Sequence, residues 1–244
     1  MKGLDSRKLL LEGAADLNIS LTDQQVNQFI KYMEILVDWN QKINLTAITN
    51  ESEIISKHFV DSLSCAYVNE IFKKPTLKLI DVGTGAGFPG IPLKIAFNHL
   101  EVTLLDALQK RIHFLDEVIS QLEFVNIFTV HGRAEEYGAK EDFRERYDIA
   151  ISRAVANMAV LAEYNLPFVK QDGYFIAMKG PDNKHEIEKS KKALNVLGGE
   201  LVDIQKICLP HTDISHSLVF IKKIKKCPSK YPRKAGKPTK NPII

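Results

Sequence analysis

Cysteine is scarce in this sequence. The 244 residues include three cysteines, Cys65, Cys208 and Cys227, which lie far apart and form no C-x-x-C pair. Disulfide frameworks and zinc sites need closely spaced cysteines, so we expect neither a disulfide scaffold nor a metal site. We interpret the three as two buried small apolar residues and one cysteine in the C-terminal tail.

A long hydrophobic run is also missing. No stretch approaches the ~20 apolar residues of a membrane span, and the N-terminus MKGLDSRKLLLEG lacks the apolar core of a signal peptide. The chain is 45% hydrophobic and 26% charged, which is typical of a globular protein. We therefore expect a cytoplasmic protein with no membrane partner.

Acidic residues are absent from the C-terminal end. Residues 222–244 contain nine Lys or Arg and no Asp or Glu, whereas the rest of the chain holds 24 basic and 30 acidic side chains. The net charge of +3 therefore comes from the tail. A localised basic run indicates a polyanionic partner, although it can also serve only solubility.

Four prolines and a glycine after Lys226 predict that the tail forms neither a helix nor a central strand. We expect an extended basic arm or a disordered segment. Cations mixed with an aromatic ring suit contacts to single-stranded RNA. The candidate RNA-binding residues of the tail are Lys230, Tyr231, Arg233, Lys234 and Lys237.

The first third of the chain has helical periodicity. Thr22 with Gln25 predicts a capping box at the start of one helix, and Asn50 with Glu53 predicts a second start. A further helix would carry His58-x-x-Asp61-Ser62, whose side chains share one face. We interpret these three as a structural polar cluster that joins a helical cap to the sheet, with a role facing RNA or substrate as the alternative.

From residue 77 onward, short apolar runs alternate with helix-like segments. The runs are LKLIDV, VTLLDA, VNIFTV, YDIAIS and GYFIAM. This alternation predicts βαβ units and a parallel sheet with helices on both faces. LVDIQKICL and SLVFIKKI have no helix between them, so we expect an antiparallel hairpin at a sheet edge. The predicted regions are residues 1–70, 71–225 and 226–244.

A glycine-rich loop follows the first predicted strand. Residues 79–93 read LIDVGTGAGFPGIPL, in which Asp81 precedes four glycines within eight positions. Such glycines allow a sharp turn and let a ligand approach the backbone. Asp106 ends the second predicted strand, where a carboxylate binds the ribose hydroxyls of an adenosine ligand.

Two ligands fit this loop. Gly85-x-Gly87-x-x-Gly90 matches the dinucleotide fingerprint of NAD(P), but Asp81 would oppose the pyrophosphate. S-adenosylmethionine carries a sulfonium and an ammonium group, which suit a carboxylate. The loop therefore favours S-adenosylmethionine, bound near Asp81 and Gly85, over NAD(P) and over a purely structural turn.

The end of the fourth predicted strand bears on the methyl acceptor. Carbon-5 of a pyrimidine requires a cysteine nucleophile, and exocyclic amines use an Asn/Asp-Pro-Pro-aromatic turn; this position reads Ser152-Arg153-Ala154-Val155. N7 of guanine has a free lone pair and needs only positioning. Elimination favours N7 of guanine and leaves hydroxyl acceptors open. Arg153 can contact a guanine edge, a phosphate or the cofactor, or form a structural salt bridge.

Seven blocks of this sequence resemble one family, the bacterial small-subunit ribosomal RNA methyltransferase G family, also called glucose-inhibited division protein B. The blocks run in order from about Leu21 to the C-terminus: WNQKINLTAI (39–48), HFVDSL (58–63), DVGTGAGFPGIPLKI (81–95), HGRAEE (131–136), SRAVA (152–156), MKG (178–180) and KYPRKAGKP (230–238).

This resemblance implies a class I, Rossmann-like S-adenosylmethionine-dependent methyltransferase fold with a mostly parallel seven-stranded sheet and an N-terminal helical cap. It implies methyl transfer from S-adenosylmethionine to N7 of one guanine in 16S ribosomal RNA, within the small subunit or a precursor. The implied cofactor residues are Gly83, Phe88, Asp106, Ala134, Glu135 and Arg153. Asp106 would hold the ribose, Ala134 and Glu135 would border the adenine, and Arg153 would be the catalytic residue.

Two other functions stay open at this point. An NAD(P)-dependent oxidoreductase would use the glycine loop for a dinucleotide, and a non-catalytic RNA-binding module would keep the fold without turnover. Lys179, which closes the fifth predicted strand, is a further candidate for a phosphate contact, with a solvated turn as the alternative. Trp39 is expected to pack in the core, with stacking on a base as the alternative.

Overall fold

The protein is represented by a computed structural model that describes residues 2–67, 70–153, 156–181, 183–210 and 212–244. Ala154 and Val155 of the SRAVA block lie outside the described residues. Among the described helices, none combines the length and the apolar character that crossing a bilayer requires.

Seven strands form one sheet in the order β3-β2-β1-β4-β5-β7-β6. β1 to β5 run parallel, and β7 pairs antiparallel with both β5 and β6. The strands are β1 (Leu77–Val82), β2 (Leu100–Asp106), β3 (Ile127–His131), β4 (Tyr147–Ser152), β5 (Val169–Lys179), β6 (Gly199–Cys208) and β7 (Ser215–Lys223). The five predicted parallel strands and the antiparallel edge hairpin are confirmed.

Ten α-helices, one π-helix and one 3-10 helix surround the sheet in the described part of the chain. The α-helices are α1 (Lys2–Asp16), α2 (Asp23–Ile43), α3 (Glu51–Ile54), α4 (Asp61–Tyr67), α5 (Gly90–Ala96), α6 (Gln109–Gln121), α7 (Ala134–Tyr137), α8 (Met158–Asn165), α9 (Lys184–Leu197) and α10 (Lys237–Lys240). The π-helix spans Ile55–Val60 between α3 and α4, and the 3-10 helix spans Glu70–Lys73.

Local side-chain chemistry sets the helix starts that the sequence predicts. The Thr22 hydroxyl accepts a hydrogen bond from the Gln25 N–H, and the Gln25 side chain accepts one from the Thr22 N–H, so α2 begins with a complete capping box. Asn50 caps α3 in the same way by accepting from the Glu53 N–H. α2 ends at Asn44, whose φ of 48° terminates the helix in the left-handed region.

The two faces of the sheet bury two apolar clusters. Because side chains alternate along a strand, Leu79 belongs to the first cluster and Ile80 to the second. The first cluster joins the sheet to α1, α2, α5 and α6, and the second joins it to α8, α9 and part of the C-terminal tail. The N-terminal helices therefore share a core with the sheet and are packed against the same strands that carry the glycine loop.

The tail differs from its prediction. It forms one helical turn, α10, and Pro238 fits there because the first turn of a helix has no internal acceptor for its N–H groups. Cys227 and Pro238 are buried, so the tail packs on the protein instead of extending from it. The cysteine prediction is wrong for Cys208, which is exposed on the edge strand β6, whereas Cys65 is buried as expected and the tail residue Cys227 is buried as well.

Candidate functional site

The glycine loop after β1 is held open by its backbone conformation. Gly83, Gly85 and Gly87 have φ values of 75°, 62° and 93°, which side chains rarely adopt. A Cβ on Gly83 or Gly85 would meet no atom within 4 Å, so the space beside the backbone is free. The loop is tied to β2, because the N–H groups of Gly83 and Thr84 donate to the Leu105 carbonyl at 2.8 and 3.1 Å.

A cavity of about 250 Å³ lies beside this loop, at the carboxyl ends of β1, β2 and β4. Parallel α/β sheets bind ligands at this edge. The cavity is lined by Val82, Gly83, Leu105, Asp106, Ala107, Gly132, Arg133, Ala134, Glu135, Ser152, Ala156, Leu161, Tyr164 and Asn165. The structure thus brings together Gly83, Asp106, Ala134 and Glu135 from the predicted cofactor residues. Asp81, Gly85, Phe88 and Arg153 lie outside this lining.

Asp106 is fixed by backbone donors from two loops and by a side chain of α6. Its Oδ2 accepts hydrogen bonds from the Gly85 N–H at 2.9 Å and from Arg111 Nη1 at 3.2 Å, and its Oδ1 accepts from the Leu108 N–H at 2.9 Å. A carboxylate oxygen can accept two hydrogen bonds, so Oδ1 keeps acceptor capacity for a hydroxyl group. Gly85 therefore acts in this structure by orienting Asp106.

The residues around the cavity fit an adenosine-type group. Val82, Leu105 and Leu161 offer apolar surface, Gly83 offers open backbone, and the carboxylates of Asp106 and Glu135 offer acceptors. A ribose and an exocyclic amine are donors that match this set.

A dinucleotide fits less well. Its pyrophosphate would need the N-terminus of the helix after the glycine loop, and that place is occupied. The first N–H of α5, on Gly90, donates to Asp81 Oδ2 at 2.9 Å. A second anion at this helix start would be repelled by the buried carboxylate.

Asp81 lies behind the loop and outside the cavity lining, so its contact with a ligand stays a prediction. The side chain is completely buried, and Oδ2 also accepts from the Thr84 hydroxyl at 2.7 Å. Oδ1 has no hydrogen-bond partner among the described residues. Burial raises the pKa of Asp81 to about 6, against hydrogen bonds from Thr84 and Gly90 that lower it. Asp81 therefore holds the loop and acts on a ligand only through its charge.

Phe88 is buried in an aromatic group outside the cavity lining, and its contact with the cofactor stays a prediction. Its ring stacks on His58 with 4.6 Å between centroids and lies 5.6 Å from Tyr32. The Arg153 guanidinium carbon lies 4.9 Å from the centre of the same ring. Phe88 sits here because the loop turns toward the N-terminal helices, which supply these aromatic partners.

Arg153 belongs to a polar cluster beneath the N-terminal helices. Its Nη1 donates to Asp61 Oδ2 at 2.9 Å and to the Lys57 carbonyl at 3.3 Å. Asp61 Oδ1 lies 3.1 Å from His216 Nδ1 on β7. Asp61 thus joins α4 to the ends of β4 and β7, as the structural interpretation of His58-x-x-Asp61-Ser62 expects. Ser62, however, donates to the backbone carbonyl of His58 and not to its ring.

His58 is a neutral residue of this cluster. Burial, and next the positive charge of Arg153, lower its pKa to about 4. Its Nε2 lies 2.9 Å from the Thr46 hydroxyl, and its segment is the π-helix Ile55–Val60. Single π-helical turns inside α-helices are frequent at functional sites.

Two predicted RNA contacts are engaged with the protein itself. The Lys179 ammonium donates to the Ala156 carbonyl at 2.9 Å and pairs with Glu186 at 2.8 Å, and its side chain is buried. Arg233 forms a bidentate pair with Glu163. A phosphate contact by Lys179 or Arg233 stays a prediction, and it would have to compete with these ion pairs. Lys230, Lys234 and Lys237 are exposed, and Tyr231 is half-buried.

Two groups of site residues were missed from the sequence. Leu161, Tyr164 and Asn165 on α8 line the cavity, and the Asn165 side chain is fully buried. Ser152 closes the floor of the cavity by donating from its hydroxyl to the Val82 carbonyl at 3.0 Å. The one sequence feature that could have indicated the α8 residues is that this helix directly follows β4, whose carboxyl end borders the cavity. The Trp39 prediction is confirmed, since the ring packs edge-on against Phe114 at 5.8 Å.

Solved structures share this fold at low sequence identity. M. jannaschii TYW2 in complex with AdoMet superposes with a TM-score of 0.52 at 16% identity, covering 67% of this chain and 75% of that chain. A Burkholderia thailandensis 1,6-didemethyltoxoflavin-N1-methyltransferase with bound S-adenosylhomocysteine gives a TM-score of 0.54 at 12% identity, covering 80% of this chain and 90% of that one. The likeness shows the class I S-adenosylmethionine-dependent methyltransferase fold.

Sequence relatives are much closer and extend over nearly the whole chain. Proteins named Ribosomal RNA small subunit methyltransferase G from Alkaliphilus oremlandii and Acetivibrio thermocellus are each 55% identical to this chain. The alignments cover 98% and 99% of this chain, and 100% and 98% of the relatives. A family model described as rRNA small subunit methyltransferase G matches residues 25–214, which include the glycine loop, the cavity, Asp61 and Arg153. The family resemblance of the seven blocks is thereby confirmed, and the chain belongs to the rRNA small subunit methyltransferase G family of S-adenosylmethionine-dependent methyltransferases.

Proposed function

We propose that this protein transfers the methyl group of S-adenosylmethionine to N7 of a specific guanine in 16S ribosomal RNA. The substrate is the RNA of the small subunit or of its precursor, and the reaction takes place in the cytoplasm. The observation that carries the proposal is the cavity at the carboxyl ends of β1, β2 and β4, with acceptors for adenosine and an occupied helix start, in a chain of this family.

The residues of the cavity bind and orient the cofactor. Bound S-adenosylmethionine supplies an electrophilic methyl group on a positively charged sulfur. Asp106 accepts the ribose hydroxyls, and Ala134 and Glu135 border the adenine. Gly83 admits the ligand to the backbone, and the Gly85 N–H fixes Asp106. Because these acceptors are already ordered by the protein, less conformational entropy is lost when the cofactor binds.

The acceptor side contains no device for activating a poor nucleophile. The end of β4 carries Ser152 and Arg153. The sequence at this position contains neither a cysteine nor an Asn/Asp-Pro-Pro-aromatic turn. N7 of guanine has its lone pair in the plane of the ring, so positioning at about 3–3.5 Å in line with the methyl group suffices.

Arg153 supplies the positioning. Asp61 and the Lys57 carbonyl hold its Nη1, which fixes the guanidinium plane while other N–H donors stay available for the guanine edge. Arg153 is therefore the proposed catalytic residue.

The three regions of the chain take different roles in this proposal. Residues 1–70 form a helical cap that positions Arg153 through Asp61, and residues 71–225 form the cofactor-binding methyltransferase domain. Residues 226–244 contribute exposed cations, Lys230, Lys234 and Lys237, to RNA binding. An exposed cation that engages a phosphate raises affinity in a salt-dependent manner.

The test is identification of the product. Purified protein is incubated with isotope-labelled S-adenosylmethionine and 16S RNA, either free or in small subunits, from cells that lack the enzyme. Mass spectrometry of the nucleosides is expected to show labelled 7-methylguanosine at one mapped position. A different methylated nucleoside would refute the N7 assignment, and cofactor binding without any transfer would indicate a non-catalytic RNA-binding module.

A further inference from the structure

The C-terminal segment, defined here as residues 227–244, has two chemically different faces. One face is exposed and carries lysines such as Lys234 and Lys240. The other face lies on the protein, where Pro238 is buried and Tyr231 and Ile243 pack against the second apolar cluster. A segment that only reached for RNA would not need the second face.

Arg233 is the main polar anchor of this segment. Its Nε and Nη2 donate to Glu163 Oε1 and Oε2 at 2.8 and 2.6 Å, and its backbone N–H also donates to Oε1 at 2.8 Å. Glu163 lies on α8 and is completely buried. A buried carboxylate without its partner is strongly destabilising, so this pair fixes the path of the chain through residue 233.

Three residues further on, the segment reaches the cavity. The Gly236 N–H donates to Glu135 Oε1 at 2.9 Å, and Glu135 is a buried cavity residue. The Tyr164 hydroxyl, from another cavity residue, lies 2.9 Å from the Thr239 hydroxyl. The segment therefore binds two side chains of the cavity wall without lining the cavity itself.

Both ends of the segment are fastened. At its start, the Arg144 guanidinium donates to the carbonyls of Cys227 and Tyr231, each at 2.7 Å. At its end, the Lys192 ammonium donates to the Ile244 carbonyl at 2.9 Å. The position of Gly236 is thus set by the protein, and the Arg233–Glu163 pair is the ion pair that lies three residues before it in the segment.

We propose that the C-terminal segment is the outer wall of the cofactor cavity and that Arg233 is a positioning residue for cofactor binding. Through Glu163, Arg233 places the Gly236 N–H on Glu135 and so orients the carboxylate that borders the adenine. This inference rests on the proposed function, because it assigns the cavity to S-adenosylmethionine. It extends that function, because the C-terminal segment then supports cofactor binding even when no RNA is bound.

The test measures cofactor affinity without RNA in the full-length chain. Titration calorimetry with S-adenosylhomocysteine is carried out on wild-type protein, Arg233→Gln, Arg233→Lys and Lys240→Gln. Loss of charge-assisted hydrogen bonds predicts about tenfold weaker binding for Arg233→Gln and an intermediate value for Arg233→Lys. Lys240→Gln removes the same charge from the exposed face and is expected to keep the wild-type affinity.

A second pair of variants changes the backbone at Gly236 and leaves the Arg233–Glu163 pair intact. Gly236 has a φ of 77°, and a Cβ at this position would meet no atom within 4 Å. Asn tolerates this conformation, whereas the β-branched Val disfavours it and would shift the N–H that Glu135 accepts. Weaker cofactor binding is expected for Gly236→Val and not for Gly236→Asn. In turnover assays, both Arg233→Gln and Gly236→Val should raise KM for S-adenosylmethionine more than they lower kcat.

The outcomes separate this inference from the proposed function. Wild-type affinity in both Gly236→Val and any folded Arg233→Gln variant overturns the inference and leaves the methyltransferase assignment intact. Reduced affinity for RNA alone overturns it as well, because the segment would then be only an RNA-binding arm. Failure of the wild-type protein to bind S-adenosylhomocysteine refutes the proposed function itself, and the inference with it.

Discussion

Three buried carboxylates show how position alone gives one residue type different roles. Glu163 is neutralised by Arg233, and Asp106 accepts hydrogen bonds from two backbone N–H groups beside the cavity. Asp81 accepts from Thr84 and Gly90 with one of its two oxygens, and the other oxygen has no hydrogen-bond partner among the described residues. Glu163 therefore anchors a segment, Asp106 presents an acceptor to a ligand, and Asp81 fastens the glycine loop.

Replacing Asp106 with Asn tests the ligand-binding role at the residue scale. Both oxygens of Asp106 accept backbone N–H groups, so an amide NH₂ at one of them would face a donor and lose the charge that binds hydroxyls. We expect cofactor affinity to fall by about 10- to 100-fold, the effect of hydrogen bonds to a charged group. Calorimetric titration checks this, with Asp142→Asn at an exposed position as the control.

The pH dependence of stability tests the neutral state of His58. Its pKa is lowered from 6.5 to about 4, so the unfolded chain binds a proton that the folded chain does not bind between these values. The contribution is present above pH 6.5 and is lost as the pH falls toward 4. Relative to His58→Gln, the wild-type free energy of unfolding should decrease by up to roughly 3 kcal/mol over this range.

Urea unfolding of both proteins at several pH values measures this difference. The comparison with the variant is necessary because Asp81, with a pKa raised to about 6, has the opposite effect: the folded chain gains a proton there as the pH falls. A constant difference between the two proteins from pH 7 to 4.5 would contradict the assignment of a neutral, buried His58.

At the scale of secondary-structure elements, the glycine loop is the feature whose geometry is most constrained. Gly85 and Gly87 both have positive φ, but they differ in their surroundings. A Cβ on Gly85 meets open space, whereas a Cβ on Gly87 would overlap the Ile91 side chain and lie 2.9 Å from the Tyr32 hydroxyl. Gly87 is therefore restricted by both conformation and packing against α2 and α5.

This difference predicts two distinct effects on stability. Gly85→Ala should reduce the free energy of unfolding by about 1 kcal/mol, the cost of a left-handed conformation for a side-chain-bearing residue. Gly87→Ala should cost about 2–4 kcal/mol, because overpacking adds to the same strain. Denaturant titration of the two variants checks the order, and equal losses would show that Gly87 is limited by conformation alone.

At the scale of the whole molecule, positive charge is concentrated at the C-terminal end of the chain. The net positive charge comes from residues 222–244, while the remaining chain carries more acidic than basic residues. Several of these cations are engaged internally, as Arg233 is with Glu163 and as Lys223 is with the Leu166 carbonyl. The cations that stay exposed lie on the outer face of the C-terminal segment, whose other face contacts Glu135 and Tyr164 of the cavity wall. In the proposals above, RNA would therefore contact one face of this segment, and the other face would support the cofactor cavity.

Neutralising the exposed tail lysines tests this arrangement. The triple variant Lys230→Gln, Lys234→Gln and Lys237→Gln should bind 16S RNA more weakly and lower the slope of log affinity against log salt by about 2 to 3. Cofactor affinity should stay at the wild-type value, since none of the three side chains is expected to reach the cavity. A triple variant at Lys8, Lys31 and Lys42 removes equal charge elsewhere and should leave the salt slope unchanged.

The sequence alone determined the elements and the loop of this protein, because those features depend on neighbouring residues. Thr22 with Gln25, the apolar runs of the strands and the glycines at 83, 85 and 87 act within a few positions, so periodicity and turn chemistry are enough to predict them. The expected ligand site beside Asp106 follows from the same patterns, because Asp106 ends the second predicted strand. The family resemblance of the seven blocks rests on the printed residues too.

Only the tertiary structure decided which face each polar side chain presents. Asp81 and Phe88 lie behind the loop, Lys179 is paired with Glu186 on the next helix, and Arg233 is paired with Glu163, which is distant in sequence. A basic proline-rich tail looks free as a sequence because its burial depends on a carboxylate 70 residues away. Long-range pairing of charges is set by packing, and packing is not encoded in any local pattern.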